Sequence, residues 1–170
     1  MTLRMRLQML RKKMSPNSVT IIPHGGSDDE DDNFGGTPFY PDFSLSAFRD
    51  AMRVDTTIPN GRVKNAVINA ALKTLHDLSP LRDKHSAFDK LEDVPADEMD
   101  GVSVLVHRYR SAVYNEAKAS LTEKYRDFDS TQSGHEEADK LEMTIEDYRR
   151  VARENIRAML GKPRATIRIL

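Results

Sequence analysis

Five histidines, His24, His76, His85, His107 and His135, are the side chains of this sequence best suited to hold a transition metal or to move a proton near neutral pH. Their spacing argues against both tasks. No two of them stand four apart on a helix, and the chain has no cysteine to join them in a thiolate site, so no metal and no other cofactor is expected. His107 lies among arginines and reads as a histidine on a helix surface. Paired carboxylates come next. Glu136, Glu137 and Asp139 have the residue types for acid and base work or for a two-metal site, but such spacing on a charged helix is ordinarily a solvated face. The glycine pairs Gly25-Gly26 and Gly35-Gly36 lack the following Lys-Ser/Thr of a phosphate loop, and no GxSxG elbow is present. With no nucleophile, base and orienting group in prospect, the chain is expected to be non-enzymatic.

Basic residues offer a different chemistry. Arg149, Arg153 and Arg157 recur every four residues and form a stripe beside the apolar face of the last expected helix. Such a stripe suits the phosphates of duplex DNA lining a channel. It suits equally well ion pairing along the helix with the interleaved Glu146, Asp147 and Glu154, and pairing is favoured because a net charge of −1 is not that of a dedicated nucleic-acid binder. The neutral total hides a segregation: Arg4, Arg6, Arg11, Lys12 and Lys13 make the start basic, and Asp28, Asp29, Glu30, Asp31 and Asp32 follow as an acidic block.

The 170 residues suffice for one domain with arms. Counted with glycine in and tyrosine out, the apolar share is roughly 40%, below the usual 45–50%, while charged residues make up 31%. That balance suggests polar arms, or a core completed by neighbouring subunits. The absence of cysteine suits a protein made in a reducing cytoplasm. No apolar run reaches the roughly 20 residues of a membrane span, and the opening MTLRMRLQML lacks the clean apolar stretch of a signal peptide.

The elements follow from periodicity. Residues 1–38 read as an extended arm, in which Val19, Ile21 and Ile22 are either a grip on another protein or a contact with the chain's own bundle. Residues 39–160 read as a helical bundle. A short helix is capped by Ser44 or Ser46 and buries Phe48 and Met52. A second begins after Asn60, buries Val63, Val67, Ala70, Thr74 or Leu75, and Leu78, and is stopped by Ser79-Pro80. A connector then carries Phe88, Leu91 and Val94 as apolar contacts. The spine is a helix of about 27 residues with Val102, Leu105, Tyr109, Ala112, Val113, Ala117, Leu121, Tyr125 and Phe128 on one face, its start crowded by Asp97, Glu98 and Asp100. At 1.5 Å per residue it would be a rod of about 40 Å that neighbours must sheathe. A last helix is expected from His135 to Leu160, closed by Gly161 and Pro163. Residues 161–170 are the tail, where RATIRIL alternates like a strand that has no partner nearby in sequence. The fold class is therefore all-α, with an extended N-terminal arm and a strand-like C-terminal tail. An unpaired strand is most economically covered by adding to a sheet edge of another protein.

Several segments together carry a resemblance. DVPAD at 93–97 with Asp100-Gly101, FYPD at 39–42, AMRV at 51–54, RSAV at 110–113, AKASLTEKYRD at 117–127, Ala138-Asp139, TIED at 144–147 and GKPR at 161–164 occur in order, and the likeness runs from residue 39 to residue 170. In these the chain resembles the head completion protein family of contractile-tailed temperate phages. The resemblance implies a structural virion protein that completes the DNA-filled head and joins it to the tail, assembled in the host cytoplasm. It implies a homo-oligomeric ring of about twelve copies beneath the portal protein, a tail-terminator or stopper-type neck protein below it, and duplex DNA passing through the bore without being read. The portal-binding tail would then comprise Lys162, Pro163, Arg164, Thr166, Ile167, Ile169 and Leu170. The competing class is a DNA-binding packaging or regulatory factor of the small-terminase kind. It would need a helix-turn-helix in a compact N-terminal region, where this chain has a glycine-rich acidic linker.

Overall fold

A computed structural model describes residues 33–126 and 144–163 of the chain, with the side chains of Tyr125 and Arg126 left aside. The basic start, Val19, Ile21, Ile22, the acidic block, Phe128, the segment 127–143 with His135, and residues 164–170 lie outside the described residues.

The described chain is mostly helical, with two small antiparallel strand pairs. β1 (Asn33–Phe34) pairs with β2 (Phe43–Ser44), Asn33 opposite Ser44 and Phe34 opposite Phe43. The pairing reaches back into the stretch that the sequence assigns to the arm. α1 (Leu45–Met52) follows at once, and Ser44 is its cap, its Oγ accepting from the Ala47 N–H at 3.1 Å. α2 (Asn60–Asp77) buries Val63, Ala66, Val67, Ala70, Ala71 and Thr74. Ser79-Pro80 does not simply end it. Proline fits the first turn of a helix, where its missing N–H costs nothing, so the chain hinges at Leu78 and resumes as α3 (Ser79–Lys84). Within the expected connector, Leu91 and Val94 are buried around a 3₁₀ turn (Leu91–Asp93), and Phe88 packs half-buried against the core.

The acid-rich stretch before the spine is a hairpin and not a helix N-terminus. β3 (Glu98–Met99) pairs with β4 (Val102–Ser103), and Asp100 and Gly101 form the two-residue loop with φ of 56° and 71°. Positive φ at both positions is what a type I′ turn demands, and Asp-Gly supplies it at low steric cost. The helix proper, α4 (Val104–Arg126), then starts at Val104, with Ser103 Oγ accepting from the Leu105 N–H at 3.3 Å. The last described helix, α5 (Ile145–Met159), has Thr144 as its N-cap in extended backbone (φ −69°, ψ 161°), and the expected start at His135 lies outside the described residues.

The layers are set by α4, whose 23 residues span about 35 Å. α2 packs antiparallel along one side, with Lys73 ion-paired to Glu116 and Tyr40 lodged beside both Leu78 and Tyr109. α5 packs antiparallel along another side, with Arg149 on Glu123 and Asn155 on Ser111. An aromatic cluster fills the junction of β2, α1 and α4: Phe43 stacks near Tyr109 and Tyr114, and Phe48 meets Tyr114 edge-on at 5.0 Å. Tyr109 is wholly buried, and its hydroxyl has no hydrogen-bond partner among the described residues.

One arginine shapes the α1–α2 turn. Arg53 ends α1 in the left-handed region (φ 47°), the place glycine usually takes, with Val54 N–H returning to Arg49 O at 3.0 Å. The Arg49 guanidinium then reaches over the turn to Asp55 O (2.7 Å), Ile58 O (2.6 Å), Asn60 Oδ1 (2.8 Å) and Val54 O (3.4 Å). Arg49→Ala is expected to lower the unfolding free energy by about 2 kcal/mol, since charge-assisted bonds are lost and carbonyls are left bare; a urea midpoint equal to that of the parent would contradict this role.

Burial also makes the fold sensitive to alkali. It pushes the Tyr40 phenol up to about 12, with Arg82 opposing in part, and burial followed by the neighbouring Tyr40 pushes Tyr109 higher still. The folded chain thus keeps protons that the unfolded chain releases near pH 10. Stability is full below about pH 10 and is expected to fall above it by up to about 1.4 kcal/mol per pH unit per phenol. Tyr40→Phe should halve the slope of urea-derived stability between pH 10 and 12.

Candidate functional site

Of the residues proposed from sequence for contact with partners, Arg149, Arg153, Arg157, Lys162 and Pro163 are described, and they lie on α5 and on the chain that leaves it. α5 begins with a reciprocal cap. Thr144 Oγ1 accepts from the Asp147 N–H at 3.2 Å, and the Asp147 carboxylate accepts from the Thr144 N–H at 3.1 Å and its hydroxyl at 2.6 Å. These bonds, with Arg150 beside them, hold the Asp147 carboxyl down at about 2. The partly buried face of the helix presents Ile145, Tyr148, Val151, Ile156 and Leu160, with Ala152 and Met159 fully buried. Between α4 and α5 runs a polar seam. Asn115 donates to Ser111 O at 2.7 Å, and Asn155 donates to Ser111 Oγ at 3.0 Å and to Val151 O at 3.0 Å, so the amide N–H groups of the buried Asn115 and the half-buried Asn155 are engaged.

The arginine stripe divides into three situations. Arg149 bridges the two helices, bonding Glu123 at 2.7 Å and Glu146 at 3.4 Å. Arg153 has only Glu146 at 4.0 Å and keeps 61% of its side chain exposed. Arg157 turns along the helix end, with Nε and a terminal nitrogen donating to Pro163 O at 3.2 and 2.6 Å. Arg149 and Arg157 are thus engaged within the chain itself, while Arg153 is the least engaged guanidinium of the three.

The helix stop is built as the sequence pattern predicts. Gly161 takes φ 67°, its N–H returns to Ala158 O at 3.1 Å, and Lys162 N–H returns to Arg157 O at 2.8 Å. This pair of bonds is a Schellman motif, and only glycine adopts its left-handed position freely. Lys162 and Pro163 are exposed immediately after it. Arg164, Thr166, Ile167, Ile169 and Leu170 lie outside the described residues, as do the arm residues Val19, Ile21 and Ile22.

Two surfaces escaped the sequence reading. On α2, Ile68 (37% exposed) and Leu72 (60%) lie on the side away from the core, and on the hairpin Met99 is 68% exposed. The α2 signal was present in the spacing of the uncharged Gly61, Asn65, Ile68 and Leu72, in steps of four, three and four. The hairpin signal was the Asp-Gly pair between Met99 and Val102. Clefts of about 350 and 370 Å³ flank residues 37–40. Among the described residues no three His, Asp or Glu side chains converge as a metal site, and no helix is long and apolar enough to cross a membrane.

This described helical bundle, with exposed apolar residues on α2 and on the hairpin, stands beside what the chain is similar to. Residues 35–170 match the family described as phage head completion protein (GPL). The chain belongs to the phage head completion protein family. Among its relatives, the head completion/stabilization protein of Escherichia phage P2 is 33% identical over 156 residues, covering 91% of each chain. No solved structure matches. Membership makes this a structural protein of the phage head, with the virion as its location, in a family of structural proteins and not of enzymes. The resemblance carried by DVPAD, FYPD and GKPR is thereby established for the family.

The cap at Thr144 is what seats α5. Thr144→Ala is expected to cost about 1 kcal/mol of stability and to speed amide exchange in the first turn of α5. A carboxyl held at about 2 against an ordinary 3.8 stabilises the fold fully above pH 4, and that contribution is lost as pH falls through 2. Asp147→Asn should therefore flatten the acid limb of the stability curve, and an unchanged limb would show that the cap does not couple to folding.

Proposed function

We propose that this head completion protein is the adaptor ring between portal and tail. About twelve copies close around an axis, and residues 162–170 of each reach the portal. The observation that carries the reading is the stop of α5: the Schellman turn at Gly161 and the Arg157 clamp on Pro163 O fix the direction in which the chain departs just before the alternating Ala165, Ile167 and Ile169. A segment that follows a fixed helix stop, with a strand pattern and no partner strand nearby in sequence, fits addition to a sheet edge of another protein.

The same reading divides the chain into an arm at 1–38, an adaptor bundle at 39–160 and a portal-binding tail at 161–170. Val19, Ile21 and Ile22 serve as the arm's grip on a neighbour. Below the ring sits a stopper or terminator protein of the neck, and duplex DNA passes through the bore. Arg153, the least engaged of the three stripe residues, is the one placed to meet phosphates there. A bore with few available cations lets DNA slide, because each neutralised phosphate adds affinity that would slow it.

Deleting residues 166–170 tests the tail. The truncated chain is expected to keep the urea midpoint of the parent, since the described bundle lies wholly before the deletion, and to lose at least about 100-fold in affinity for purified portal, the scale of a few lost strand-pairing bonds. Undiminished portal binding by the truncated chain would remove strand addition. The mass of the portal complex formed by the full chain checks the stoichiometry.

A further inference from the structure

The outer side of α2 is built unlike the outside of an ordinary surface helix. Gly61, Asn65, Ile68 and Leu72 form an uncharged stripe that faces away from the core, and all four are exposed. Its apolar part is the Ile68–Leu72 end. A Cβ built on Gly61 meets nothing within 4 Å, so the other end is open, and Asn65 between them adds a neutral amide. Cations border the stripe. Arg62 and Lys73 lie along one side and Lys64 along the other, Lys73 also holding Glu116.

The β3–β4 hairpin has the opposite character. Met99 stands 68% exposed, and Asp97, Glu98 and Asp100 surround it, none of them in an ion pair with another described residue. The knob is held rigidly. The Asp100-Gly101 turn fixes the tip, Val104 N–H bonds Asp97 O at 2.9 Å, and His107 Nε2 lies 2.9 Å from Met99 O. An apolar knob ringed by anions and a face carrying Ile68 and Leu72 between cations are complementary in both apolar character and charge.

One subunit cannot satisfy itself. The Lys73–Glu116 pair sets the register of α2 on α4, and Glu116 lies 13 residues beyond Ser103. That places Leu72 about 20 Å along α4 from the hairpin. We infer that the Met99 hairpin of one copy docks on the Gly61–Leu72 face of the next copy, which makes this the repeating contact of the ring. The contact joins two different patches, so it is heterologous and propagates around an axis instead of ending at a dimer. The inference rests on the ring reading above and adds to it which surfaces meet.

Because the chain has no cysteine, the contact can be tested by cross-linking without background. Full-length chain carrying both Met99→Cys and Leu72→Cys, assembled into particles and treated with a short bismaleimide, is expected to give a ladder of covalent multimers on a denaturing gel. Met99→Cys with Ala158→Cys, an exposed position on α5, should give at least tenfold less. Adding Glu98→Lys to the first pair should lower the yield several-fold, and more so at low salt. Particles that contain a ring of the expected mass but show no ladder would overturn this contact and leave the ring reading standing. Absence of any ring on the portal would overturn the ring reading and this contact with it. A ring lost on deleting residues 1–32, yet formed normally by the Leu72→Lys and Glu98→Lys chains, would assign the contact to the arm and likewise overturn it.

Discussion

The packing of α4 on two sides is the constraint from which the described structure follows. Tyr109, Ala112, Val113, Ala117 and Leu121 are all below 5% exposed, and so are Val106 and Ala119, which lie off the stripe expected from sequence. A helix buried this fully cannot carry a clean amphipathic stripe; it needs small residues where backbones approach and satisfied polar groups where they do not. The alanines meet the first need. The Ser111, Asn115 and Asn155 seam meets the second, its amides bonded to backbone and hydroxyl oxygens and so sparing the bundle the penalty of bare buried donors. The ion pairs Lys73–Glu116 and Arg149–Glu123 add little energy where they are partly exposed, but they fix the sliding register of α2 and α5 on this spine.

With the spine packed on two sides, the remaining freedom lies in the turns, and besides Gly35 after β1 three of them use left-handed backbone to send the chain where it must go. Arg53 reverses it between α1 and α2, Asp100-Gly101 folds the hairpin ahead of α4, and Gly161 ends α5. A non-glycine residue in that region costs about 1–2 kcal/mol, and at Arg53 the surrounding bonds offset it: Arg49 gathers the turn's carbonyls, and Lys118 from α4 reaches Arg53 O at 3.3 Å. At Gly161 the requirement is met by residue type alone. The exposed features therefore stand at fixed ends of a stiff body, and a rigid surface loses less entropy when it binds.

Much of this is legible in the sequence, and the parts that are not share a cause. Helices with a single buried face, α1 and α2, are readable from periodicity, and the Gly161 stop from turn chemistry. The two-sided burial of α4 is readable only in half, because Val106, Ala119 and Asn115 fall off the stripe that one neighbour defines. Asp97, Glu98 and Asp100 invite a helix-dipole reading, although Asp-Gly between apolar residues is also the signal of a tight hairpin; pairing of only two residues per strand is too short for alternation to reveal. Pro80 carries the same ambiguity, since it ends one helix and suits the first turn of another. At α5, an apolar repeat continuing back to Ala138 conceals the N-cap at Thr144, which the TIED pattern discloses. The outer face of α2 is hidden in a similar way, because Asn65 interrupts the apolar pattern that Ile68 and Leu72 would otherwise announce. The arginine stripe is visible as a pattern, but its division among a helix bridge, an exposed guanidinium and a carbonyl clamp depends on neighbours distant in sequence.

For a structural head protein the arrangement of charge around its apolar surfaces is as consequential as the surfaces themselves. If two copies met through the same α2 face, Arg62, Lys64 and Lys73 would confront their own kind across the contact, and two hairpins would set carboxylates against carboxylates. Like charges thus oppose isologous pairing, while opposite charges favour the proposed contact of hairpin on helix, a heterologous pairing that closes into a ring where the rotation allows. Charged residues border Ile68 and Leu72 on α2 and Met99 on the hairpin, which stand on separate elements of the chain. With an apolar share of roughly 40%, the described chain buries a core around α4 while leaving Ile68, Leu72 and Met99 exposed.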